Sequence, residues 1–127
     1  VNIVIPGHCY SLKTSRTIFR SPRGRLFPGK STKLKTYQEK AEFLMRLAWG
    51  KKTTLTDEFV GVTLRFYYSG PTPDALGPAE TIFDCLQNAG VVENDRQLTP
   101  AGYPAILRFR VPKKQERVEI EIHDVEP

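Results

Sequence analysis

The sequence predicts an α/β (α+β) domain: a mixed β-sheet of about four strands with two main helices, in the order β-loop-α-β-α-β-β. Three observations carry this expectation. Residues 59–68 and 118–122 alternate apolar and polar side chains with the period of a strand. Residues 32–49 and 77–88 place apolar side chains at steps of three and four, the period of an amphipathic helix. The 127 residues make one domain, 1–127, with room for a single core.

Val1–Ile5 is apolar and β-branched and reads as a buried strand that Pro6-Gly7 ends. A loop rich in Ser, Thr, Gly and Pro follows to about residue 30. Within it Thr17-Ile18-Phe19 and Arg25-Leu26-Phe27 pair as a small hairpin across Ser21-Pro22-Arg23-Gly24. Ser31 or Thr32 caps a helix that runs to about Trp49 and stops at Gly50. Its expected buried stripe is Leu34, Tyr37, Ala41, Leu44 and Ala48. Met45 and Trp49 widen that stripe, and Phe43 and Leu47 fall off it as a candidate oligomer contact.

In the strand 59–68, Val60, Val62, Leu64, Phe66 and Tyr68 share one face. The second helix opens at Gly77-Pro78, buries Ala79, Ile82, Phe83 and Leu86, and stops at Gly90 as a left-handed C-cap. The last two strands read as a hairpin. Ala105, Leu107, Phe109 and Val111 face the core, and so do Val118, Ile120 and Ile122, while Arg110 lies opposite Glu119 and Arg108 opposite Glu121. His123 is expected to face solvent, and neither it nor His8 has a partner at metal-ligand spacing.

Composition narrows the function. Hydrophobic residues make up 39% and charged residues 26%, and no apolar run approaches a membrane span, so no membrane partner is expected. Val1–Ile5 is too short and uncharged for a signal peptide, and Cys9 and Cys85 make neither a disulfide framework nor a zinc spacing. The expected home is the cytoplasm, in a nucleoid-associated or phage-encoded setting among others.

The net charge of +5 is unevenly spread. Residues 1–38 carry Lys13, Arg16, Arg20, Arg23, Arg25, Lys30, Lys33 and Lys35 and no acid, while the remainder has a net charge of −3. A basic loop, about 6–30, on an acidic body is the footprint of a polyanion binder. Lys13, Arg16, Arg20, Arg23, Arg25, Lys30 and Lys33 are the candidate phosphate contacts, and Tyr10, Phe19 and Phe27 either stack on unpaired bases or anchor the loop.

The stretch Pro73 to Leu98, PDALGPAETIFDCLQNAGVVENDRQL, sets a helix between two carboxylates, Asp74 and Asp95. Were the chain to fold back at Gly90, both could reach one Mg²⁺ or Mn²⁺, hard cations that take oxygen ligands and activate water. The same spacing also describes solvated acids beside a helix, with Glu80 favouring the helix dipole.

This stretch resembles the core of the RusA-type Holliday junction resolvases, whose pattern runs roughly D-x-D-N-x-x-K-x-x-x-D-x-L, then Gly, a D-D pair and an aliphatic residue. Asp74, Phe83, Asp84, Leu86, Ala89, Gly90, Asp95 and Leu98 stand at the matching positions without a gap. Leu76 replaces the second Asp, Gly77 the Asn, Glu80 the Lys, and Asn94 the first Asp of the pair. The resemblance implies a homodimer that binds four-way or branched DNA and cuts it in recombination and repair as a Mg²⁺- or Mn²⁺-dependent endonuclease. It implies Asp74 and Asp95 as metal ligands, with Glu80 (or Glu93) supplying a further catalytic carboxylate. The substitutions leave open a second expectation, a junction-binding protein of the same fold that has lost catalysis. A third, a basic interaction domain unrelated to DNA, requires the resemblance to be accidental.

Overall fold

The computed structural model describes residues 1–11, 16–20, 26–30, 32–71, 76–100 and 105–123, with the backbone alone for 16–20, 26–30, 76 and 99–100. Nine main elements follow in order: β1 (Asn2–Pro6), β2 (Arg16–Arg20), β3 (Leu26–Lys30), α1 (Thr32–Trp49), β4 (Val60–Tyr68), α2 (Leu76–Asn88), β5 (Leu98–Pro100), β6 (Ile106–Arg110) and β7 (Arg117–Ile122). The predicted α+β class holds, with two main helices on a mixed sheet.

The sheet has four positions, ordered β1, β7, β4, and then β5 and β6 in succession along one flank of β4. Its first two junctions are antiparallel, whereas β5 and β6 lie parallel to β4. The connection through α2 is therefore a β-α-β crossover, because a parallel neighbour cannot be reached by a tight turn. The segment β2–β3 forms a separate antiparallel ribbon, the small hairpin expected there, with Phe19 registered opposite Phe27. The ribbon's turn, 21–25, lies outside the described residues.

One core joins the helices to one face of the sheet. Val60, Val62, Leu64, Phe66 and Tyr68 of β4 are all buried, as alternation requires, and meet Val118, Ile120 and Ile122 of β7 and Ile3 and Ile5 of β1. Ala79, Ile82, Cys85 and Leu86 of α2 close over them, and Gly90 takes φ 81° to end that helix. On α1 the buried line is Leu34, Tyr37, Gln38, Ala41, Met45 and Trp49, while Leu44 is half-buried and Ala48 exposed. Steps of four from Ala41 lead to Met45 and Trp49, so the stripe drifts around the helix instead of returning to Ala48. Phe43 and Leu47 are exposed, as expected of positions off the stripe.

Four expectations are corrected. β1 is an edge strand, buried only at Ile3 and Ile5, with Asn2 and Val4 exposed. α2 opens at Leu76, so Pro78 is its third residue, still within the first turn where a missing N–H is harmless. β6 and β7 do not pair. β7 lies between β4 and β1, where both flanks of its ladder are satisfied, and Glu119 and Glu121 face Arg65 and Thr63 of β4 instead of Arg110 and Arg108. β6 pairs with β4 in the register Leu64↔Ile106, which puts Ile106 against the core and sends Leu107 and Phe109 to the open face. There Phe109 stacks on Tyr67 at 4.9 Å, and the Arg117 guanidinium covers Tyr67 at 3.9 Å. His123 is half-buried, with Nε2 2.8 Å from the Thr63 hydroxyl.

Candidate nucleic-acid interface

The C-terminal end of β4 is where most of the chemically equipped residues gather. In sheets with parallel strands this end is the usual place for a site, since helices start there and loops are free to vary. Residues 8–11 cross this end and tie it together. The Tyr68 hydroxyl donates to the Cys9 carbonyl at 3.0 Å, and Thr81 Oγ1 of α2 donates to the Tyr10 carbonyl at 2.7 Å. Ser11, itself buried, packs so closely on Gly77 that a Cβ there would collide with its side chain. The space that a side chain at position 77 would need is thus taken by Ser11.

Along the chain the ribbon lies between Ser11 and Thr32, the start of α1. Its two strands set Arg16 directly opposite Lys30, with Arg20 at the far end of β2. Between the ribbon's two roots lies a cleft of about 320 Å³. His8, Tyr10 and Tyr37 line it with rings, Lys33 and Lys40 with cations, and Thr36 with a hydroxyl. The His8 ring meets Tyr10 edge-on at 4.8 Å and Tyr68 at 5.1 Å, and Tyr10 meets Tyr37 at 6.1 Å. The Lys40 ammonium reaches the Pro6 carbonyl and lies 5.4 Å from the centre of the Tyr37 ring.

Beneath the cleft, His8 Nδ1 is 2.8 Å from Glu116 Oε2, and Ser69 Oγ donates to the other carboxylate oxygen at 2.9 Å. Burial pushes the Glu116 carboxyl up, but the hydrogen bonds from His8 and Ser69 outweigh it and hold the group below its ordinary value. The thiol of Cys9 is pushed up to about 12 by burial, and the hydroxyls of Tyr37 and Tyr68 are pushed up by burial and by Cys9. None of the three is a nucleophile at neutral pH. Cys85 is fully buried.

The expected site residues fall into four groups, the first being Arg16, Arg20 and Lys30 on the ribbon. Asp74, Lys13, Arg23 and Arg25 lie outside the described residues. Glu80, exposed on α2 five residues into the helix, and Lys33, exposed on α1, stand at the equipped end. Asp95 stands at the other. It opens a short 3-10 turn, Asp95–Gln97, just before β5, whose first residue pairs with Val60 at the start of β4. Its backbone amide donates to Gln87 Oε1 near the end of α2 at 2.8 Å.

Glu80 and Gln87 are about 10 Å apart along the helix axis. The fold therefore does not bring Asp95 and Glu80 to one Mg²⁺, whose ligand oxygens lie at about 2.1 Å. Among the described residues, no three His, Cys, Asp or Glu side chains converge as metal ligands, and no helix is long and apolar enough to cross a membrane.

The sequence reading missed the cleft, although α1 carries its signal. Lys33, Tyr37 and Lys40 recur at i, i+4 and i+7, a cation–aromatic–cation line on one face of the first two turns. What the line meets, His8 and Tyr10, comes from the other side of the ribbon. The chain matches no protein-family model and no curated protein.

Proposed function

We propose that this chain is a RusA-type protein of DNA recombination and repair that binds four-way or otherwise branched DNA and nicks it with Mg²⁺ or Mn²⁺. The observation that carries the DNA half is the register of the ribbon, in which Arg16 faces Lys30 in a segment without a single acid. Two cations directly across a strand pair repel one another in isolation and are favourable against a polyanion. A two-fold pair of chains would present two such ribbons to the symmetric arms of a junction. Binding to a synthetic four-way junction should weaken steeply with salt. Replacing Arg16 and Lys30 by Ala should flatten the plot of log affinity against log salt by about one unit per lost phosphate contact. An unchanged slope would remove the ribbon from the interface.

The nuclease half rests on the resemblance, and the placement of Asp95 bears on which acids serve it. Glu80 stands at the equipped end with the opening of α2, and Asp95 does not. Nicking of a four-way junction in Mg²⁺ or Mn²⁺ should therefore be abolished by Asp74→Asn and weakened by Glu80→Gln, with Asp95→Asn the mildest of the three. The separation of Asp95 from that end also favours a second reading, binding without cleavage. Metal-independent junction binding with no nicking in either ion would establish that reading and end the enzymatic one.

A further inference from the structure

We infer that the cleft between the two roots of the ribbon is a pocket for one unstacked nucleotide, its base against the rings of His8 and Tyr10 and its phosphate on Lys33 and Lys40. This deepens the DNA-binding reading and rests on it. Four observations point to that occupant. At about 320 Å³ the cleft is at the small end of ligand pockets, enough for a single nucleotide unit and far too narrow for a duplex. Three of its lining side chains are aromatic or imidazole rings, and base–ring stacking is tolerant of sequence because every base has a π-face.

Among the described residues its charged lining is cationic. Lys33 and Lys40 face it, while Glu116 hydrogen-bonds His8 and is not among the described lining residues. That hydrogen bond also restrains the imidazole, so the ring is positioned before any ligand arrives. Finally, Tyr10 precedes the ribbon in the chain and Thr32 follows it, and both line the cleft. DNA bound by the ribbon would then have a base unpaired at a branch point available to the cleft.

The test compares two labelled DNAs at one salt concentration: a perfect duplex, and the same duplex with a single unpaired nucleotide. The wild-type chain should prefer the bulged DNA by about tenfold, the order expected for one stacked base. Tyr10→Ala should erase that preference, and Tyr10→Phe, which keeps the ring, should restore it. Should Tyr10→Ala fail to fold, the exposed Lys33→Ala still decides the matter, because it should reduce the preference severalfold with an unchanged melting temperature. Equal wild-type affinity for the two DNAs, or a preference untouched by Lys33→Ala and Tyr10→Ala, would overturn the pocket and leave the ribbon reading standing. No binding to either DNA at low salt would overturn both.

Discussion

At the start of β4 the chain is closed by amides. Gln97, buried, donates from Nε2 to the carbonyls of Leu55 and Asp57 at 2.9 and 2.8 Å, and its Oε1 accepts from the Asn94 amide at 2.7 Å. Leu55 also exchanges backbone hydrogen bonds with Val91 and Glu93. At the end of β4 the connections are made by ionisable and hydroxyl groups, Glu116 with His8 and Ser69, Tyr68 with Cys9, Thr81 with Tyr10. An amide network has one protonation state and holds its loop at any ordinary pH. A network of His, Glu and hydroxyls responds to pH and to charged partners. The difference teaches which end can be used: the first is a clasp, the second is a surface with chemistry left over.

The strongest way to break the comparison is to open the clasp. Gln97→Leu keeps the bulk but takes the partners of the Asn94 amide and the Asp57 carbonyl and leaves the Leu55 carbonyl with its Glu93 donor alone, and should lower stability by about 2–4 kcal/mol. Urea unfolding measures it, and a loss below about 1 kcal/mol would mean that water replaces the amide without penalty.

A smaller loss is expected at the equipped end from Gly77→Ala. Moving Ser11 aside should cost about 1–3 kcal/mol, partly offset by the roughly 1 kcal/mol that Ala gains over Gly inside a helix. The same urea series should show Gly77→Ser at least as destabilised, because any Cβ meets Ser11.

The smallest effect sharpens the comparison through pH. The Glu116 carboxyl is lowered in the fold, so its contribution is present above the ordinary value of 4.5 and is lost as pH falls through the folded value. Between pH 6 and pH 3, Glu116→Gln should lose less stability than the wild-type chain. Equal slopes for wild type and Glu116→Gln would show that His8 and Ser69 do not favour the ionised form.

What the sequence made legible follows the range of the physics involved. The alternation of β4, the ribbon's pairing and the Gly90 stop are local, and each appears where its period or dihedral demands. The neighbour of β7 is not local. Glu119 and Glu121 complement Arg110 and Arg108 in a hairpin just as plausibly as Glu119 complements Arg65 across the sheet, and only burial of Ile120 and Ile122 between two strands decides it. The two ends of α2 are a similar case. Asp95 reads as converging on the helix start if Gly90 reverses the chain, yet Asn94-x-x-Gln97 is a capping box visible in the sequence and marks a new helical turn there. The cleft was hidden because its walls come from either side of the ribbon. No window of the sequence contains both.

The two backbone hydrogen bonds that Val1 and Ile122 exchange, at 3.1 and 2.8 Å, have a consequence for how the protein is made. Among the described residues β1 pairs with β7 alone, and the other described strands all lie between the two along the chain. At roughly 5–20 residues per second, the first strand waits on the order of 5–20 s for its partner. In that interval Ile3 and Ile5 can rest on α1, which packs against β1 in the finished fold, but their backbone groups stay unpaired. This part of the sheet closes only when β7 enters between β1 and β4. A nascent chain halted before residue 117 would hold its helices and ribbon and still lack a closed edge, the state in which a strand is most exposed to other chains.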